Sequence, residues 1–227
     1  LLLKTSENLK HYMITSKMKS DLEGLNNFDE KFIESLFAPC QLADINEETK
    51  IFKTVIPDII WDELLQLTLE AKKIKSHPLS QLKCHYNAGK NSYQISVNQR
   101  LFEESFLYPY IIFAGQKYLS MMQGVSCHSL TRKVGIRQYT GHYDGYDFWF
   151  NFSEIGDINP PHRHAGSLSA VIYISNTQDL PTIFEGGFEY NGISKEMLIF
   201  PSHLQHQVAE NTIGERITAS FNLETNA

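Results

Sequence analysis

From Ser129 to Leu223 the chain breaks into short β-rich runs punctuated by Gly, Asn, Asp and Pro, and that rhythm leaves few folds open. The candidate strands are Ser129–Tyr139, Asp147–Glu154, His162–His164, Ser169–Asn176, Thr182–Glu185, Gly187–Tyr190, Glu196–Phe200, His206–Glu210 and Arg216–Leu223. Short strands at this spacing predict a β-sandwich or barrel.

Before residue 125 the pattern is mainly helical. Asn26–Phe37 carries apolar residues at helical spacing, with Asn27 as a cap. Thr49–Pro57 alternates and predicts a strand. Pro57–Lys75 predicts a helix, with Asp58 and Glu63 towards its positive end and Lys72, Lys73 and Lys75 towards its negative end. Residues 79–98 are polar with few anchors and predict a loop. Arg100–Gly124 predicts one helix or two, with Pro109 as the kink or break and Gly124 as the C-cap. The expected organisation is mainly β with a helical annex: a helical region, 1–125, packed on a β-core, 126–227, in one compact domain.

Composition narrows the function classes. Of 227 residues, 42% are apolar and 20% charged, as in soluble globular proteins. The net charge is −6 and no Lys/Arg block stands out, which disfavours nucleic acid and anionic membranes as partners. No apolar run reaches the roughly 18–20 residues of a membrane span. Leu1–Leu3 is short for a signal-peptide core. Cys40, Cys84 and Cys127 form neither a disulfide framework nor a metal clip, so a cytoplasmic setting is expected.

The chemistry concentrates in "NPPHRHAGSLSAVIYI", Asn159–Ile174. His162 and His164 stand at i and i+2, a spacing that places both on one face of a strand. His206 follows on a distant run. Arg216 opens the run after that, with Thr218 on the same face. Neutral imidazoles bind Fe(II) and other first-row metals. Two ligands from one strand and one from another can occupy one face of an octahedron and leave the opposite face open. A planar guanidinium then suits the far carboxylate of a bidentate ligand, with the Thr218 hydroxyl beside it. His203 shares a loop with His206, but the spacing to Arg216 favours His206. Other assignments stay open. Asp157 or Glu185 can supply a carboxylate in place of one histidine. Arg137 rivals Arg216 as the clamp, and Arg216 can instead be a strand-end ion-pair partner. Asn151 can bond backbone, Tyr173 can be packing, and Tyr139, Tyr143, Tyr146, Phe148 and Trp149 can build either pocket or core.

Five segments in order, "WFNF" (Trp149–Phe152), "PHRH" (Pro161–His164), "SAVIYI" (Ser169–Ile174), "FPSHLQH" (Phe200–His206) and "RITASFN" (Arg216–Asn222), carry a family resemblance. Over roughly residues 130–225 the chain resembles the iron(II)/2-oxoglutarate-dependent oxygenases, and within them a group found in phages and marine bacteria. The resemblance implies a double-stranded β-helix, or jelly roll, with the metal inside its open end. It implies His162, His164 and His206 as ligands, Arg216 and Thr218 on the distal carboxylate of 2-oxoglutarate, Asn151 near the cosubstrate and Tyr173 as a further contact. Fe(II), 2-oxoglutarate and O2 would be the cofactors, and a small molecule or peptide the substrate. The chain departs from the usual His-x-(Asp/Glu)…His triad, because His164 takes the carboxylate's place. That removes one negative charge from around the metal and widens the choice of metals to zinc, nickel and copper. Two other readings share these residues: a cupin-like three-histidine dioxygenase that binds its substrate directly, and a non-catalytic jelly-roll module with a structural metal.

Overall fold

A computed structural model describes residues 37, 39–75, 93–96, 102–139, 145–175 and 179–226. The helix expected at Asn26–Phe37, apart from Phe37 itself, lies outside these residues, as do Cys84 and Tyr143. In chain order the first elements are β1 (Cys40–Asp44), β2 (Lys50–Val55), α1 (Asp58–Lys75), β3 (Tyr93–Ser96) and α2 (Leu107–Gln123). Next come β4 (Lys133–Ile136), β5 (Gln138–Tyr139), β6 (Gly145–Tyr146), β7 (Phe148–Ser153), β8 (Asn159–His162) and β9 (Leu168–Ser175). The last are β10 (Thr182–Phe184), β11 (Glu189–Tyr190), β12 (Glu196–Pro201), β13 (His206–Val208) and β14 (Arg216–Asn226).

The strands form an eight-stranded sheet, β1-β2-β12-β9-β14-β7-β3 with β4 on β14, and a four-stranded sheet, β11-β10-β13-β8. From β7 onwards the chain alternates between them: β7 large, β8 small, β9 large, β10 and β11 small, β12 large, β13 small, β14 large. Every pairing is antiparallel. A chain that winds between two facing sheets in this way is a double-stranded β-helix, the jelly roll that the family resemblance implied and a narrower outcome than the sandwich or barrel expected from the strand rhythm.

Period-two alternation gives the large sheet two different faces. Phe148, Phe150 and Phe152 of β7 and Ile217, Ala219, Phe221 and Leu223 of β14 join one core with Ile60 and Leu64 of α1 and Ile111 and Ala114 of α2. The intervening Trp149, Asn151, Ser153, Arg216, Thr218 and Ser220 line a cavity between the sheets. Beyond it a second apolar cluster, including Tyr173, Leu198, Phe200, Phe184 and Leu204, closes the barrel. Strand β9 is buried along nearly its whole length because both of its faces are covered.

The first half contributes more than helices. β1, β2 and β3 all extend the large sheet. Residues 79–98, read as loop, contain β3, which pairs with β7 and sets Gln94 opposite Asn151. Nothing in the polar sequence of β3 signals this; its partner strand supplies the order. Pro109 neither kinks nor splits α2. It falls in the first turn, where no intrahelical N–H donor is needed. Gly124 ends α2 in the left-handed conformation (φ 66°), its N–H returning to the Ser120 carbonyl. No described helix is long and apolar enough to cross a membrane.

At Gly115, α2 packs tightly on side chains of the sheet. A Cβ there would sit 2.5 Å from Leu223 Cδ1 and 2.8 Å from Val134 Cγ1. Gly115→Val should therefore cost about 1–3 kcal/mol through overpacking, read as a lower melting temperature by circular dichroism. An unchanged melting temperature would contradict this seat for α2.

Candidate metal centre

Sheet pairing brings two of the predicted ligands together. His162 ends β8 and His206 opens β13, and the two are direct cross-strand partners. Their ring centroids lie 4.3 Å apart. His164 completes the group, 4.9 Å from His162 and 5.1 Å from His206 by ring centroid. One ligand atom from each ring can be chosen so that all lie within 4.8 Å of one another, and among the described residues no carboxylate joins this cluster.

The orientation of two rings is set by backbone. His162 Nδ1 lies 2.7 Å from the Pro160 carbonyl, and His206 Nδ1 lies 3.1 Å from the Leu204 carbonyl. Each Nδ1–H donates to its carbonyl, which leaves Nε2 with the lone pair a metal requires. Burial, then the neighbouring His206 and His162, hold the pKa of His164 down to about 3. Burial and His162 hold His206 at about 4, against the opposing pull of the Leu204 carbonyl. Burial lowers His162 as well. All three imidazoles are neutral at pH 7, as ligands must be.

His164 is not placed by a shared strand face. β8 stops at His162, because the chain there turns to cross from the small sheet to the large one. A buried polar latch holds His164 instead. Its N–H donates to the Ser202 carbonyl (3.1 Å), and the Ser202 N–H donates to the Ser167 carbonyl (3.2 Å). Behind them the Ser202 and Ser169 hydroxyls meet at 2.9 Å, and Ser169 donates to Asn222 Oδ1 at 2.6 Å. Asn222 Nδ2 donates to Asp147 (2.7 Å), which also accepts from Arg137 Nη1 (3.1 Å). Gly166 makes the crossing at φ 102°, where a Cβ would press within 3.0 Å of the Leu223 carbonyl oxygen.

Arg216 opens β14 inside the same cavity and is only 5% exposed. Its Nε has no hydrogen-bond partner, and among the described residues it makes no ion pair. Burial lowers its pKa to about 10, so it stays charged at neutral pH. The ion-pair reading of Arg216 thus has no partner, while the rival Arg137 is committed to Asp147 and Glu224. Thr218 faces Asn151 across the strands. Asn151 Nδ2 donates to Thr218 Oγ1 (3.2 Å) and Ser220 Oγ (3.0 Å), and its Oδ1 accepts the Trp149 indole N–H (3.0 Å). Asn151 is thereby an orienting hub. Thr218 accepts there and keeps its own hydrogen for another acceptor.

The remaining candidates separate. Tyr173 is fully buried and its hydroxyl meets Thr182 Oγ1 at 2.9 Å, so it touches the cavity through Thr182, which lines it. Glu185 is exposed and pairs with Arg163 at 3.1 Å. His203 is exposed. Asp157 lines the cavity but stands outside the histidine cluster. Phe148 belongs to the core, whereas Trp149 forms a cavity wall, its ring 5.6 Å from that of His164. Sequence reasoning missed Gln94, Ser220 and the Asn222 latch. Strand alternation alone marks Ser220, two positions beyond Thr218.

No protein-family model matches the chain, and no curated protein matches it. Solved structures similar to it include an oxidoreductase of the 2OG-Fe(II) oxygenase family from Burkholderia pseudomallei, 11% identical, covering 76% of this chain and 84% of that one, with a TM-score of 0.47. A prolyl-4-hydroxylase from Pseudomonas putida is 15% identical over 76% of this chain and 91% of that one, with a TM-score of 0.42. A Trichoplax adhaerens prolyl hydroxylase, in complex with a hypoxia inducible factor peptide fragment, is 12% identical over 90% of this chain and 91% of that one, with a TM-score of 0.43.

The latch makes a prediction separate from turnover. Asn222→Ala removes the hub between Ser169 and Asp147, so His164 loses its support. Metal affinity should fall about tenfold, the lower end for loss of groups that orient ligands, in a competition titration with a chromophoric chelator. Wild-type affinity in a folded variant would show that His164 holds its place without the latch.

Proposed function

We propose that this protein is a non-haem iron(II)- and 2-oxoglutarate-dependent dioxygenase that hydroxylates its substrate and releases succinate and CO2. The observation that carries the reading is Arg216, a buried, charged guanidinium that makes no ion pair among the described residues, in the cavity that holds three convergent imidazoles. Leaving such a charge unpaired costs several kcal/mol. A carboxylate that arrives with a ligand offsets that cost, and a planar fork suits it.

The donor set fits iron(II), with three neutral nitrogen ligands and no carboxylate within the cluster among the described residues. What bound iron(II) supplies is activation of O2, coupled to oxidative decarboxylation of the 2-oxo acid. His162, His164 and His206 would hold the metal through ring nitrogens. Arg216 and the Thr218 hydroxyl would hold the distal carboxylate, with Asn151 fixing Thr218. Val171, Phe200 and Val208 add apolar lining that limits water around these groups.

A three-histidine dioxygenase that binds its substrate directly would use the same ligands. It gives no reason to leave a charged arginine unpaired beside them, and Arg216 favours the 2-oxo acid for that reason.

Arg216→Met separates binding from structure. The variant should bind 2-oxoglutarate at least about 30-fold more weakly, a loss of about 2 kcal/mol, by calorimetric titration of the metal-loaded protein. The ligand-free variant should melt no lower than wild type, since it sheds an unpaired buried charge. A lower melting temperature with unchanged 2-oxoglutarate affinity would make Arg216 structural and sink the assignment.

A further inference from the structure

Asp157, on the loop between β7 and β8, lines the same cavity and is only 2% exposed. Its Oδ2 accepts the Glu154 N–H at 2.7 Å, but its Oδ1 is buried without a hydrogen-bond partner among the described residues. Among the described residues it makes no ion pair. The charged groups lining the cavity are Arg216 and Asp157, of opposite sign. A buried carboxylate oxygen without a donor is as costly as an unpaired guanidinium, so a donor from outside the chain is favoured. The cosubstrate cannot be that donor, because 2-oxoglutarate at neutral pH is a dianion without an N–H or O–H to give. Water can donate to this oxygen but brings no positive charge, so a donor that also balances the carboxylate belongs to the molecule being oxidised.

Resting on the dioxygenase reading, we propose that Asp157 is the anchor for the primary substrate, and that this substrate carries a protonated amine. A neutral hydroxyl would satisfy the lone pair but leave the buried negative charge uncompensated. An ammonium does both.

The test uses the full chain loaded with Co(II), with and without 2-oxoglutarate, and three probes of equal length: n-butylammonium, butanoate and 1-butanol. Paramagnetic broadening of probe proton signals reports which of them settles near the metal. Broadening of n-butylammonium should saturate at concentrations where the other two are unaffected. Asp157→Asn keeps an acceptor for the Glu154 N–H and removes the charge, and it should weaken ammonium binding about tenfold or more. Equal broadening of the three probes would overturn the proposal. So would an unchanged ammonium affinity in Asp157→Asn, including the case where 2-oxoglutarate binds more tightly to that variant. Selective, Asp157-dependent ammonium binding without any 2-oxoglutarate binding would support the anchor while removing the cosubstrate reading. Tight 2-oxoglutarate binding without ammonium selectivity would do the reverse.

Discussion

Everything at the cavity depends on the two-faced large sheet. One face of β7 and β14 presents phenylalanines and aliphatics to the helices, and the other presents Trp149, Asn151, Arg216 and Thr218 to the barrel interior. Side-chain period in a strand is two, so a slip by one residue would exchange these sets. The apolar face therefore fixes the polar one: the hydrophobic contact with α1 and α2 holds the register that aims Arg216 inward. Burying one large apolar side chain contributes about 1.5–3 kcal/mol, and β7 and β14 bury several. That margin lets the inner face carry polar and charged groups whose burial is unfavourable.

The inner face is organised by charge as much as by shape. Burial holds all three imidazoles neutral, with neighbouring histidines adding to it at His164 and His206. Arg216 and Asp157 keep their charges apart, without an ion pair between them among the described residues. At 4 Å, two unit charges interact by about 4 kcal/mol at the effective dielectric of a protein site, against about 1 kcal/mol in water. A carboxylate meeting Arg216 inside the barrel is thus held several times more firmly than at an exposed arginine. With three neutral imidazoles and no carboxylate in the cluster among the described residues, the histidines add no negative charge to oppose an anionic ligand.

Much of this is legible in the sequence, for a reason particular to strands. "FWFNFS" and "RITASFN" each show the alternation that separates core from cavity, so Asn151, Arg216 and Thr218 fall on one face by pattern alone. His162 and His206 are legible as candidate ligands because each begins or ends a strand-like run, though their cross-strand pairing is not. What stays hidden depends on contacts between distant segments. The setting of His164 differs from the strand face its spacing predicts, since its backbone is held by Ser202 rather than by continuing β8. Gln94 is invisible because β3 has no strong pattern of its own and takes its order from β7. Asp157 reads in the sequence as a possible metal ligand. Nothing local could show that one of its oxygens is buried without a partner.

In the proposed function, a 2-oxo acid chelates a metal held by His162, His164 and His206. The most direct measurement is an anaerobic titration of the iron(II)-loaded protein with 2-oxoglutarate, followed by visible absorption. A saturable metal-to-ligand charge-transfer band that requires both iron and 2-oxoglutarate is expected. The band should be lost when His206 is replaced by Ala. Iron demonstrably bound, with 2-oxoglutarate in excess and no band, would contradict the proposed function.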